Sequence, residues 1–389
     1  MENSTGVGGS TISLIRLVKG LQAGAYKPFV VFYRPNAYLP KFAELGIETT
    51  VMSDDRGITS RGPASLAVSR VGGVASLTRG YRRLLRKDLP EAFRLRDLIK
   101  RRGAYLVHIN GRLSSCRGAI LATRLAQVPC VCHVRDFYSF SSLDRWFAKW
   151  VDLFLYISKA VQTHTEAALP WARGQLIYDG VNHLEFQKSP AVSTVRDEFG
   201  LSEWDQVVGN VGRLVSWKGQ HIFLEALSRV AGEFPRLKAV VAGEPDPPAD
   251  QSYLQRLIDL TRDLGLKGRV VFAGFVEDVP RLLVSLDVLV HSSTRPEPFG
   301  LTILEGMAAG LPVVATAAGG ALDLVHDGKT GRLVPPGDAL SMSEAIRQIL
   351  SNRADASRMG EAARKHVAQH FSVKQFAEGI EQAYSSVLP

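Results

Sequence analysis

Cysteine is nearly missing from this chain. Cys116, Cys130 and Cys132 are the only three in 389 residues, an odd number without disulfide density or zinc-ligand spacing. They are expected to be reduced, and the protein to be cytoplasmic. No apolar run approaches the roughly 20 residues that a membrane-spanning helix needs. The amino terminus, Met1-Glu2-Asn3-Ser4-Thr5, has no basic stretch followed by an apolar block, so no secretory leader is read there. No compact Asp/His cluster argues for a metal, and none is assigned. Aromatics are 8% of the chain and are not interleaved with its basic run, as base stacking would require, so nucleic acid is not expected as a partner.

What remains is the balance of a globular protein, 46% hydrophobic and 22% charged, in a chain long enough for two large domains. The net charge of +9 is uneven. Residues 1–190 hold 27 Lys and Arg against 14 Asp and Glu, an excess of 13, whereas residues 191–389 hold 20 against 24. Within the first part, residues 79–102 carry 10 basic and 3 acidic residues. Leu77, Tyr81, Leu84 and Leu85 repeat there at helical spacing, with Pro90 expected to interrupt before a second helix to Arg102. Such a basic amphipathic segment suits either a solvated face over a core stripe or peripheral contact with an anionic membrane, here its inner face.

The stretch with most chemistry is Arg295-Pro296-Glu297-Pro298-Phe299-Gly300-Leu301-Thr302-Ile303-Leu304-Glu305. The two prolines hold Arg295 and Glu297 extended. A helix then runs from Leu301 to Ala309, before Gly310-Leu311-Pro312 stops it. Glu305 shares a helix face with Leu301 and Thr302. The free amides of the first turn suit a phosphate, and a carboxylate one turn deeper suits vicinal hydroxyls. A second loop, Gly212-Arg213-Leu214-Val215-Ser216-Trp217-Lys218-Gly219, follows strand 207–211 and places two cations five apart before a helix. That suits a diphosphate whose charge grows as its bond to a sugar breaks.

Together these segments resemble the retaining GT-B glycosyltransferases of family 4. Glu297 and Glu305 match the E-x7-E motif, and Arg213 and Lys218 match the Gly-Arg-Leu…Lys-Gly motif. The resemblance is dense from about residue 205 to 375 and thinner before 190. It implies an α/β fold of two Rossmann-like doubly wound domains facing across a cleft, with residues 1–188 binding acceptor and 189–370 binding donor. The segment 371–389 would cross back to the first domain. It implies transfer of a hexose from a nucleoside diphosphate sugar to a glycan or lipid-linked acceptor, in cell-surface polysaccharide or glycolipid synthesis. The donor is a substrate, and no cofactor is expected.

The roles it implies are these. Arg213, Lys218 and the amides of Gly300, Leu301 and Thr302 meet the departing diphosphate. Glu305 accepts from the ribose, Glu297 holds sugar hydroxyls beside an oxocarbenium-like centre, and Phe299 belongs to the same loop. The backbone at Val276 and Val279 meets the base. Gly8 and Gly9 form the Gly-rich turn of the first domain, and His133, at the end of strand 130–134, is the candidate for a residue near the sugar. In Ile177-Tyr178-Asp179-Gly180-Val181-Asn182 the family's Asn and Asp are exchanged. Relatives open with a short apolar strand just before the Gly-Gly turn; none precedes Gly8 here, and the first strand is expected to be missing. Two other readings share some features: a nucleotide-sugar epimerase of the same architecture, and a basic nucleic-acid binder.

Overall fold

The computed structural model describes residues 8–21, 26–52, 82–187, 192–245 and 251–388. The chain divides into two compact units, residues 1–180 with 373–389, and residues 181–372. The boundary falls ahead of residue 188 because the 3-10 turn His183–Gln187 packs on helices of the second unit. Residues 188–191 themselves lie outside the described residues.

In the first unit α1 (Gly9–Leu21) is followed by β1 (Val30–Phe32), α2 (Leu39–Glu44) and β2 (Thr49–Val51). Then come α3 (Leu89–Arg102), β3 (Val107–Asn110), α4 (Arg117–Ala126), β4 (Cys130–Val134), α5 (Ser142–Ala148), β5 (Leu153–Tyr156), α6 (Lys159–Ala168) and β6 (Gly174–Leu176). Every pairing is parallel, in two pieces: β1 with β2, and a four-stranded sheet in the order β3-β4-β5-β6. Strands β4 and β5 are buried throughout and read as apolar runs rather than alternations, as strands covered on both faces should. The last helix, Val373–Ser385, packs Phe376, Ile380 and Tyr384 against Leu17, Leu21 and Leu155 of this unit.

Pro90 does not interrupt its helix. A π-helical turn at Leu84–Asp88 leads straight into α3, and Pro90 sits at its second position, directly after the widened turn. Leu77, Arg79 and Tyr81 of the basic segment lie outside the described residues. Three of its basic residues are held within the unit: Arg102 by Glu48, Arg96 by Asp97, and Arg83 by the Ser114 carbonyl at 2.9 Å. Arg117 is buried between Asp144, at 2.7 Å, and Asp88, at 3.8 Å, and so ties α3, α4 and α5 together.

The second unit contains α7 (Val192–Glu198), β7 (Gln206–Val211), α8 (Gln220–Val230), β8 (Leu237–Ala242), α9 (Gln251–Asp263), β9 (Val270–Gly274) and α10 (Val279–Leu283). It continues with β10 (Val288–His291), α11 (Leu301–Ala308), β11 (Val313–Thr316), α12 (Ala321–Leu324), β12 (Arg332–Val334), α13 (Ala339–Ser351) and α14 (Arg353–His370). Its six strands are parallel, in the order β12-β11-β10-β7-β8-β9. The chain starts at the centre, runs outward through β8 and β9, then returns to the other side of β7 as β10. The strand order therefore reverses between β7 and β10, and ligands of open α/β sheets bind at the carboxyl ends of such a pair. Among the described residues no helix is long and apolar enough to cross a membrane.

Candidate active site

The loops that leave β7 and β10 meet at this reversal. After β7 the chain passes Arg213 and forms a 3-10 turn, Ser216–Lys218, before α8. Gly219 ends that turn with φ of 70°, and a Cβ there would lie 2.0 Å from the Ser292 carbonyl oxygen. Only glycine lets the two loops approach this closely. They are then knitted together: Ser292 Oγ donates to the Lys218 carbonyl at 2.9 Å, and Thr294 N to the Trp217 carbonyl at 2.8 Å. Asn210, buried on β7, donates to the Val290 carbonyl and to Ser292 Oγ at 2.9 and 3.0 Å.

This seam brings Lys218 Nζ to 2.5 Å from Glu297 Oε2. The same oxygen lies 3.2 Å from His291 Nε2 and 3.3 Å from Ser293 Oγ. Burial alone would push the Glu297 carboxyl up. The Lys218 charge and the hydrogen bond from His291 outweigh it and hold the group well below the usual carboxylate range. Glu297 is therefore ionised at any physiological pH. His291 is set in turn by Ser293 Oγ, 3.0 Å from its Nε2, and by Thr316 Oγ1 on β11, 3.5 Å from its Nδ1.

Behind this loop stands the turn Gly319-Gly320. Gly320 N donates to the Glu297 carbonyl at 2.7 Å, and Glu297 and Gly319 form a parallel bridge. Gly319 has φ of 67°, and a Cβ on it would come within 2.0 Å of the Glu297 oxygen. Gly300 opens α11, one residue shorter than expected, and the amides of Leu301 to Ile303 head its first turn without intrahelical partners. Phe299 is buried, packed toward Phe371, and Glu305 is buried one turn into the helix. Beside the Arg213 loop, Leu214 N donates to the Glu244 carbonyl at 2.9 Å. A cavity of about 520 Å³ lies there, lined by Leu214, Glu244, Pro245, Leu254 and Phe272. That is the size class of a small-ligand site. Val276 and Val279 are half-buried at the end of β9 and the start of α10, while the Arg213 side chain is exposed.

The expected site residues thus divide. Arg213, Lys218, Val276, Val279, Glu297, Phe299, Gly300, Leu301, Thr302 and Glu305 all belong to the second unit, and Lys218 and Glu297 touch. Gly8, Gly9 and His133 belong to the first unit. Gly8 accepts from the amides of Thr11 and Ile12 and starts α1. His133 requires correction as a residue near the sugar. It is 0% exposed, on a β4 face covered by Phe376 of the last helix, with His108 and Arg135 beside it. Burial, Arg135 and His108 all disfavour its charged form, so it is a neutral core histidine. The ion pair below it is Arg135 with Asp179, to which Ser13 Oγ also donates at 2.6 Å. The exchanged Asp of the 177–182 turn is therefore a buried anchor.

Sequence reasoning missed His291, Ser293, Asn210 and the contact of Gly319-Gly320 with Glu297. His291 and Ser293 directly precede the motif, and alternation along β10 could have placed both on the side of Glu297. The remainder are contacts between strands far apart in the chain.

Two family models divide the chain. Glycosyltransferase Family 4 matches residues 7–183, and Glycosyl transferases group 1 matches residues 192–366. A lipopolysaccharide core biosynthesis glycosyltransferase, LpsE of Rhizobium meliloti, is 36% identical over 182 residues, which are 47% of this chain and 49% of that protein. The chain thus spans about half the length of that relative. A 2-deoxystreptamine glucosyltransferase of Streptomyces kanamyceticus is 26% identical over 85% of this chain and 88% of its own. Among solved structures, Anabaena HepE in complex with UDP and glucose superposes with a TM-score of 0.81 at 27% identity, covering 99% of this chain and 98% of its own.

Proposed function

We propose, for a chain that belongs to the GT-B glycosyltransferases of group 1 and family 4, that it transfers a hexose from a nucleoside diphosphate sugar to a glycan or lipid-linked acceptor, with retention at the anomeric carbon. The pairing of Lys218 with Glu297 at the head of α11 carries this reading. It joins a cation to an ionised carboxylate four residues ahead of a helix start, in the unit that also holds a ligand-sized cavity beside the Arg213 loop. HepE, similar over its whole length, is known with UDP and glucose, which favours a uridine diphosphate donor and a base seated in the cavity beside Leu214. The relatives that act on lipopolysaccharide core favour an acceptor in cell-surface polysaccharide.

In this reading Lys218 and Glu297 neutralise each other until donor arrives. The diphosphate then takes Lys218, Arg213 and the amides of Leu301 and Thr302. Glu297 is left free to accept from sugar hydroxyls, while Glu305 accepts from the ribose. As the anomeric bond to the diphosphate breaks, negative charge grows on the leaving oxygen within reach of these donors, which were oriented beforehand. That is the largest electrostatic contribution a site of this kind makes. We assign the neutralisation of the leaving group to this chain's own side chains and amides.

Thermal-shift measurements with UDP-, GDP- and ADP-sugars test the proposal. A donor at about 100 times its Kd adds about 2.7 kcal/mol and raises Tm. The expected result is a shift with UDP-sugar that Lys218→Ala removes, and release of UDP that requires an acceptor. UDP-sugar turnover without acceptor would favour the epimerase reading, and no shift with any of the three would overturn the assignment of the site.

A further inference from the structure

Three side chains donate to Glu297, and all three arrive at the same oxygen. Lys218 Nζ, His291 Nε2 and Ser293 Oγ lie 2.5, 3.2 and 3.3 Å from Oε2. Among the described residues none donates to Oε1. A carboxylate divides its acceptor sites evenly between two oxygens. Loading one with three donors and the other with none fixes which way the group faces.

The protons follow from the acceptor. An ionised carboxylate only accepts, so His291 Nε2 carries a hydrogen whether the ring is neutral or charged. In the neutral ring Nδ1 is then an acceptor, and Thr316 Oγ1 on β11, 3.5 Å away, donates to it. Ser293 Oγ stands 3.0 Å from Nε2 and 3.3 Å from Oε2, so it accepts from the ring and donates to the carboxylate. The hydroxyl of Thr316, the ring and the hydroxyl of Ser293 thus lead to Oε2 from one side. Lys218 reaches it from the loop after β7.

The two sides are not equivalent. Lys218 is a point charge on a flexible stem of four carbons. In the reading given above it turns to the diphosphate when donor binds. His291, Ser293 and Thr316 are buried where β10 and β11 end. Their hold on Oε2 therefore outlasts the ion pair. Without it the carboxylate would rotate about its last bond, which has a broad, two-fold preference.

We propose that His291, together with Ser293, is a positioning residue that keeps Oε2 in place once Lys218 has left it, so that Oε1 alone meets a hydroxyl of the donor sugar. This role rests on the donor reading proposed above. It adds that the sugar, not the diphosphate, is what the histidine serves, because a fixed Oε1 accepts from a hydroxyl in one position only.

Thermal shifts with UDP, UDP-glucose and UDP-galactose, together with steady-state turnover, test it. In His291→Leu, UDP is expected to raise Tm as it does in the parent, and the further rise that a UDP-sugar gives over UDP is expected to vanish. The misplaced carboxylate should lower kcat by about 10²-fold. His291→Gln brings an amide N–H toward Oε2 and should recover turnover to within about fivefold of the parent. Ser293→Ala should lower kcat by about tenfold, and in the double variant with His291→Leu the losses should fall short of multiplying, because both act on one oxygen. If His291→Leu does not fold, Ser293→Ala and His291→Gln decide. Parent-like kcat and an undiminished UDP-sugar rise in Ser293→Ala would overturn the role, and so would a Gln variant that loses about 10²-fold. A parent chain that shifts with neither UDP nor a UDP-sugar would instead sink the donor reading, and the role of His291 with it.

Discussion

At the scale of single residues the two histidines at strand ends have opposite fates. His291 ends β10 where the chain leaves the sheet, and it donates to Glu297. His133 lies within β4 under Phe376 and meets only core. Replacing Lys218 or Glu305 with Ala is expected to lower turnover by about 10²-fold or more while leaving Tm near that of the parent. A coupled assay of UDP release measures this, and near-native turnover in either variant would break the role given to it. His133→Leu is expected to keep turnover within about twofold and to change the pH dependence of stability instead. In the fold His133 resists protonation, whereas the unfolded chain takes up a proton near the ordinary histidine pKa of about 6.5. The unfolded state therefore binds more protons as pH falls below about 6.5, and folding stability is lost in that direction. Urea denaturation from pH 7.5 to 5 should show a shallower loss in His133→Leu than in the parent. An identical slope would mean that the site is wet.

Elements deliver these residues to one place. Glu297 is set by β10 and the residues just after it, which bring His291 and Ser293 to it, by α11, which begins four residues later, and by the Gly319-Gly320 turn, which supports its backbone. The turn is the rigid part. Gly319→Ala would place a methyl group on the Glu297 carbonyl in a left-handed backbone conformation. A cost of about 1–3 kcal/mol is expected from the strain, with a fall in turnover exceeding that of a surface substitution. Chemical denaturation and the UDP-release assay together measure it, and unchanged stability would mean that the loop moves aside freely. The E-x7-E spacing was legible because it lies within one loop and one helix. The supporting turn is remote in sequence, and a pair of glycines carries no sign of which backbone it will touch.

Across the whole molecule, charge separates by unit, with the excess of positive charge before residue 191. On the described helix from residue 82, Arg82, Arg86 and Lys87 are exposed beside Leu85, itself 47% exposed. Reversing those three to Glu is expected to reduce binding to anionic vesicles at low salt by about tenfold, and to leave turnover of a soluble acceptor unchanged. Co-sedimentation with anionic and neutral vesicles measures it, and equal binding to both by the parent chain would remove the membrane as a partner. The alternation of apolar runs with amphipathic helices, the two Pro bonds around Glu297 and the cation spacing of the Arg213 loop are local in the chain. Sequence by itself therefore determined a doubly wound α/β fold, and it singled out the segments that we propose meet a diphosphate. The strand order did not follow from local pattern, because any parallel strand reads as the same apolar run wherever it sits. Tertiary structure alone decided that β7 and β10 are neighbours, so that Lys218 closes on Glu297 across 79 positions. It also decided that His133 is sealed in the core. Each depends on which surfaces are buried against one another, a property of the packed chain and not of any stretch of it.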